Sequence, residues 1–159
     1  MYPMLSPYLA NLRSKVGHDL LLLPSVTVLA FNSSGEVLLV RHSNYNVWVA
    51  PGGMIEVDES PASAAHREMK EETGCRVELQ GIVGVYGGPN FRVHYQNGDD
   101  VAYVMTVFEA QIVGGHLEPD GQETLEAKFF TYADTQEIQT GNWLPEVLRD
   151  AFARKGNEA

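Results

Sequence analysis

Both ends of one helix are written into this sequence between Ser60 and Gly74, and that segment limits the fold more than any other. Ser60 is a good N-cap, Pro61 suits the first helical position, Ala62 to Glu72 are mostly helix formers, and Gly74 suits the left-handed residue just past a helix end. The helix so delimited carries Glu68, Glu71 and Glu72 within five residues. At about 100° per residue they share an arc of roughly 100°, with Ala62, Ala65 and Met69 as an apolar stripe beside it. Like charges three and four residues apart cost a few tenths of a kcal/mol per pair, and Arg67 and Lys70 lie off the arc. A divalent cation turns that repulsion into coordination. Hard ions such as Mg²⁺ take carboxylate oxygens, keep several waters and share substrate phosphates. For three glutamates alone, a solvated acidic face is the competing reading.

The longer string from Gly53 to Cys75 decides between them. Gly53, Glu59, Arg67, Glu68, Glu71, Glu72 and Gly74 fall on the pattern G-x5-E-x7-R-E-U-x-E-E-x-G-U, where U is a bulky aliphatic residue. Met69 and Cys75 are the only departures, and both are apolar. On these residues the chain resembles the Nudix hydrolases. The resemblance extends over roughly residues 25 to 153 and implies an α/β/α sandwich with a mixed β-sheet. It also implies an activity, Mg²⁺-dependent hydrolysis of a diphosphate linkage in a nucleoside diphosphate joined to a moiety X, with Mn²⁺ as a substitute ion. By the same resemblance Glu68 and Glu72 match the principal metal ligands. Glu71 matches a third ligand or the general base, and the Gly52 carbonyl a main-chain ligand. Arg67 would orient the glutamates, and Glu59 would support the loop, with Gly53 and Gly74 as structural positions of the motif. Catalytic roles fall to Glu71, Arg67 and Glu68. In the acidic loop Asp120-Gly121-Gln122-Glu123, Glu123 is the expected further metal ligand, ahead of Asp120 and Glu126.

Composition agrees with one small enzyme. A chain of 159 residues, 44% hydrophobic, sustains one core and is short for two ordinary domains. The organisation read from the sequence is an N-terminal helical extension over 1–24, a Nudix domain over 25–154 and a frayed tail over 155–159. Leu20 to Leu23 is too short an apolar run to span a membrane, and no cationic leader is visible, so a cytoplasmic protein is expected. A single cysteine excludes an internal disulfide and a cysteine zinc cluster, and no two histidines stand four apart on a helix. The net charge of −10 disfavours long RNA or DNA. It remains compatible with a small phosphorylated nucleotide, because a bound metal reverses the local sign. A homodimer is left open.

Elsewhere, Pro7 to Val16 reads as an amphipathic helix, and Ser25 to Phe31 with Val37 to His42 as a hairpin turning at Asn32-Ser33-Ser34-Gly35. Strands are expected at Arg76 to Tyr86, Val101 to Val113 and Phe129 to Tyr132, with a loop from Gly87 to Asp100. Helices are expected near Asp134 to Thr140 and Pro145 to Ala153. Trp48 and Tyr86 are the candidate stacking surfaces for a base, with a core role as the alternative, and Arg41 is a candidate phosphate contact. Two other functions compete with hydrolysis. A non-catalytic nucleotide sensor on the same fold usually carries an appended DNA-binding domain, and an isoprenoid diphosphate isomerase needs an active-site cysteine where this chain offers only Cys75.

Overall fold

The hairpin at Asn32 is set by one side chain. Asn32 Oδ1 accepts from the amides of Ser34 (3.0 Å) and Glu36 (2.9 Å), and Gly35 takes the positive φ of 77° that closes the turn. It joins β1 (Leu21–Phe31) to β2 (Val37–His42), paired antiparallel. The coordinates are a computed structural model and describe residues 5–43, 46–122 and 124–156. Around this hairpin an eight-stranded sheet runs in the order β3 (Trp48–Val49), β2, β1, β7 (Asp100–Gly115), β5 (Cys75–Tyr86). Off that path, β4 (Gly52–Met54) pairs with β1, β6 (Arg92–His94) with β7, and β8 (Thr124–Phe130) with β2. Among the described strands only β1 and β7 pair in parallel, so the sheet is mixed.

Alternation along the central strands sorts the core into two layers. Val26, Val28 and Ala30 of β1, with Leu38 and Phe108, face helix α2 (Pro61–Thr73), which offers Ala64, Ala65 and Met69. Leu29, Phe31, Val37, Leu39 and Val107 face the opposite way, onto Leu144, Val147, Leu148 and Ala151 of α4 (Leu144–Gly156). Helix, mixed sheet and helix make the expected sandwich. The N-terminal helix α1 (Pro7–Val16) packs Leu9 into a third cluster with Leu23, Tyr95, Val101 and Tyr103.

Several boundaries differ from the sequence reading. β1 begins at Leu21, four residues early, because Leu21 to Pro24 continue the parallel ladder onto Val101 to Val104. The expected loop from Gly87 to Asp100 contains a 3-10 turn, Pro89–Phe91, and strand β6, whose three residues are too short to show a period. The β6–β7 turn closes through Tyr95 N–H to Asp99 O (2.8 Å), with Gly98 at φ 97°. β8 starts at Thr124 and ends at Phe130, whereas Tyr132 opens the short α3 (Tyr132–Thr135), capped by the Thr131 hydroxyl. Lys155 and Gly156, read as part of a frayed tail, belong to α4. Lys155 Nζ lies 3.8 Å from the fully buried Glu109 carboxylate and 4.9 Å from the Phe31 ring centroid.

Candidate active site

Helix α2 is capped as its sequence says. Ser60 Oγ accepts from Ser63 N–H (3.1 Å), and Gly74, at φ 75°, returns its N–H to Lys70 O (3.0 Å). A Cβ on Gly74 would collide with the His116 carbonyl, so glycine is required there twice over. The acidic arc and the buried stripe, read as neighbours, overlap in the structure. Ala62 is exposed and Ala64 takes its place in the core, while Glu68 and Glu72 are buried with it and Glu71 alone faces solvent.

Arg67 is the hub that makes such burial tolerable. Its Nε and Nη2 form a fork onto Glu59 (2.6 and 2.8 Å), Nη2 also reaches Met54 O (3.2 Å), and Nη1 donates to Glu68 Oε1 (2.9 Å) and Glu71 Oε2 (3.2 Å). The fork holds the Glu59 carboxyl below its usual range, and Glu59 Oε1 also accepts the Glu56 amide (3.1 Å), fixing the loop before the helix. The Arg67 charge is stabilised in return, first by Glu59. Glu68 behaves oppositely: burial pushes its pKa up to about 7, against the lowering effect of Arg67. Its carboxylate lies against Gly53, where any Cβ would overlap it, so the second glycine of Gly52-Gly53 makes room for this side chain.

Glu72 reaches the other way. Its Oε2 accepts the Gly52 amide at 2.8 Å, and both residues line a cleft of about 510 Å³. The Gly52 group facing Glu72 is thus its N–H. Among the described residues no three His, Cys, Asp or Glu side chains stand close enough to enclose a metal ion alone. The donor set nevertheless fits a hard cation that also takes phosphate oxygens: two buried carboxylates one helical turn apart, Glu68, costly to ionise without a cation, and Glu72, which lines an open cleft.

The expected substrate contacts stand apart from this cleft. Arg41 forms an ion pair with Glu126 through Nε (2.8 Å) and donates from Nη1 to Asn46 Oδ1 (2.8 Å). Trp48 packs edge-on against Phe130 with centroids 5.0 Å apart, inside the α4 core layer. Tyr86 donates to Asp150 Oδ2 (2.7 Å) and stacks on Phe91. None of the three lines the cleft. Asp120 Oδ1 accepts the amides of Gln122 and Thr124, both at 2.9 Å, and is spent on the turn; Glu123 lies outside the described residues. Cys75 is buried in the core layer under α2 and is not among the residues that line the cleft.

The cleft walls come instead from segments the sequence reading passed over: Phe91 and its flanks, Tyr95, Tyr103, His42, and Gln139 to Trp143. His42 follows a register shift in β2, and burial lowers its pKa to about 4. The stretch Gln139 to Gly141 enters because Trp48 N–H donates to Gln139 O (2.9 Å) and Gly141 N–H to Trp48 O (3.2 Å), bonds between residues 91 and 93 positions apart in sequence. The only local sign was Gly141-Asn142-Trp143 ahead of a helix start.

The comparisons with known proteins agree with this geometry. A solved MutT protein from Methanosarcina mazei Go1 superposes with a TM-score of 0.64 at 27% identity, covering 86% of this chain and 94% of that one. An ADP-ribose pyrophosphatase of Methanocaldococcus jannaschii is 32% identical over 118 residues, 71% of this chain and 65% of the relative. The human diphosphoinositol polyphosphate phosphohydrolase 3-beta is 41% identical over 75 residues, 46% of this chain and 43% of the relative. The chain thus spans less than two thirds of the length of these curated relatives. The family model of the NUDIX domain matches residues 21–151, nearly the whole of the sandwich and its carboxylate helix, and the chain belongs to the Nudix family.

Proposed function

We propose that the protein is a Mg²⁺-dependent hydrolase that cleaves a diphosphate linkage in a nucleoside diphosphate joined to a moiety X. One observation carries the reading. The Arg67 hub fixes Glu68 and Glu71, and Glu72 opens onto a cleft large enough for a nucleotide. Glu68 and Glu72 would hold the ion, which supplies charge neutralisation at the phosphates and a more acidic water. Everything else is done by the chain itself. Arg67 keeps the Glu68 and Glu71 carboxylates oriented by charge-assisted hydrogen bonds, so no reorganisation is needed during reaction. Glu71 is the solvent-facing carboxylate and is the group to take the proton of the attacking water. The Gly52 amide fixes one oxygen of Glu72. The relatives named as an ADP-ribose pyrophosphatase and a diphosphoinositol polyphosphate phosphohydrolase support phosphoanhydride cleavage as the reaction class.

The test is turnover of ADP-ribose, nucleoside triphosphates, nucleotide sugars and dinucleoside polyphosphates with Mg²⁺, product by product. Activity is expected with Mg²⁺ or Mn²⁺ and none with a chelator. Glu72→Gln, which keeps the shape and removes a charge, is expected to lose at least about tenfold in kcat with an unchanged fold. Wild-type turnover by that variant, or undiminished activity in chelator, would overturn the assignment.

A further inference from the structure

One corner of the cleft that Glu72 lines is aromatic. Trp143, half-buried, stands at the start of α4, with its ring centroid 6.5 Å from that of Phe91. Phe91 is itself stacked on Tyr86 (5.7 Å, 29°), and the Tyr86 hydroxyl is held by Asp150 of α4. Gly141 leaves space for the indole, since a Cβ there would press to 3.2 Å on Nε1, and the Gly141 amide is pinned to Trp48 O. The indole is therefore a braced plane whose ordering cost is met on folding. The same cleft is lined by Asn90, Gln139 and Asn142, all exposed, whose side-chain amides offer donors and acceptors without charge. Among the described residues Arg92 is the only lysine or arginine in the lining, and His94, beside it, is paired with Asp100 (2.6 Å).

Resting on the hydrolase reading above, we propose that this corner holds the uncharged planar head of the substrate, a nucleobase laid on the Trp143 indole with its edge toward Asn90 and Asn142. Charge selects this head over a polyphosphorylated ring. Recognition of several phosphates takes clusters of arginine and lysine, whereas this wall has one, in a protein of net charge −10. A flat indole with amides at its rim suits a base, which has a π-face for stacking and hydrogen-bonding edges. The substrate class so assigned differs from that in the name of the human relative, a diphosphoinositol polyphosphate phosphohydrolase.

Trp48 and Trp143 are the two tryptophans, so a Trp48→Phe background isolates the indole in question. With chelator present, AMP and GMP are expected to quench its fluorescence saturably, and ribose 5-phosphate and inositol hexakisphosphate are not. In steady-state kinetics on a nucleoside diphosphate derivative, Trp143→Ala is expected to raise KM roughly tenfold or more with kcat within about twofold, and Trp143→Phe to restore most of the loss. Asn142→Ala, at an exposed position that leaves the core intact, is expected to change the ranking of bases. Equal quenching by ribose 5-phosphate and AMP, quenching by neither, or an unchanged base ranking in Asn142→Ala would overturn the subsite. The two readings fail separately. Phosphoanhydride hydrolysis without nucleotide quenching removes the subsite alone, and nucleotide quenching with no hydrolysis of any substrate removes the hydrolase reading alone.

Discussion

Arg67 carries more than a lysine could replace. Its fork engages both oxygens of Glu59 while Nη1 spans Glu68 and Glu71, and a single ammonium cannot hold that planar set. Arg67→Lys is expected to leave a folded protein, less stable by about 1–2 kcal/mol, with activity down by about ten- to a hundredfold, as when groups that orient metal ligands are removed. Calorimetry and steady-state kinetics on the same preparation check both halves. His42 gives a pH signature of the opposite sign to Glu68. Its folded pKa, lowered by burial to about 4, lies below the ordinary 6.5, so between those values the unfolded chain binds more protons and stability falls as the pH drops. Its contribution is intact above pH 6.5 and lost through about pH 4. Glu68, raised from 4.5 to about 7, favours the fold at low pH and loses that contribution as the pH rises through 7. The two partly cancel in the native protein. His42→Gln is therefore expected to be relatively more stable at pH 4.5 than at pH 7.5, measured by denaturant titration in chelator. A difference that does not vary with pH would remove the histidine from the account.

The elements show why some of this was legible and some was not. Helix α2 was legible because Ser60, Pro61 and Gly74 act within a few residues of themselves, and its carboxylates could be placed on one arc from spacing alone. That Glu68 and Glu72 sit inside the buried face required knowing where Gly53 and Gly52 pass, and that is fixed by β4 pairing with β1. The aromatic reading went to Trp48 and Tyr86 because both flank strands, whereas Trp143 borders the cleft through the backbone bonds between β3 and residues 139 to 141. Strand β6 was invisible because three residues carry no period, and its identity comes from β7 alongside it. Trp48 accordingly belongs to the seam between β3 and that segment. Trp48→Ala is expected to cost about 3–5 kcal/mol, with KM rising only as far as the seam loosens. Differential scanning fluorimetry beside kinetics reads this, and a large KM effect without a melting shift would return Trp48 to the substrate.

The three layers are joined to α1 at one corner. Arg13, buried, donates to the carbonyls of Gly17 (3.0 Å), Asp19 (2.6 Å) and Asp100 (3.0 Å) and lies 3.5 Å from the Asp99 carboxylate, which also meets His18 (2.6 Å). Leu9 then packs against Tyr95 and Tyr103, whose hydroxyls are bonded at 2.6 Å and which form one wall of the cleft. The helix that lies outside the family match thus backs the Tyr95–Tyr103 wall of the cleft, while the carboxylates rest on α2. Arg13→Gln is expected to destabilise the fold by about 2–4 kcal/mol and to raise KM more than it lowers kcat. Equal effects on both constants would contradict that division of labour.

The eleven-residue parallel ladder between β1 and β7 pairs residues 80 positions apart, from Leu21 with Val101 to Phe31 with Gln111. Closing so long a loop precedes any reward from the contacts it brings, so the ladder governs how fast the chain reaches its native state. The β1–β2 hairpin and α2 can form while the sheet centre is still open, and during synthesis the apolar run Val26 to Phe31 waits without its neighbour until β7 has emerged. Refolding is therefore expected to be slow for a protein of this size, with Val28 and Val107 as the positions where a shortened side chain retards the folding limb most.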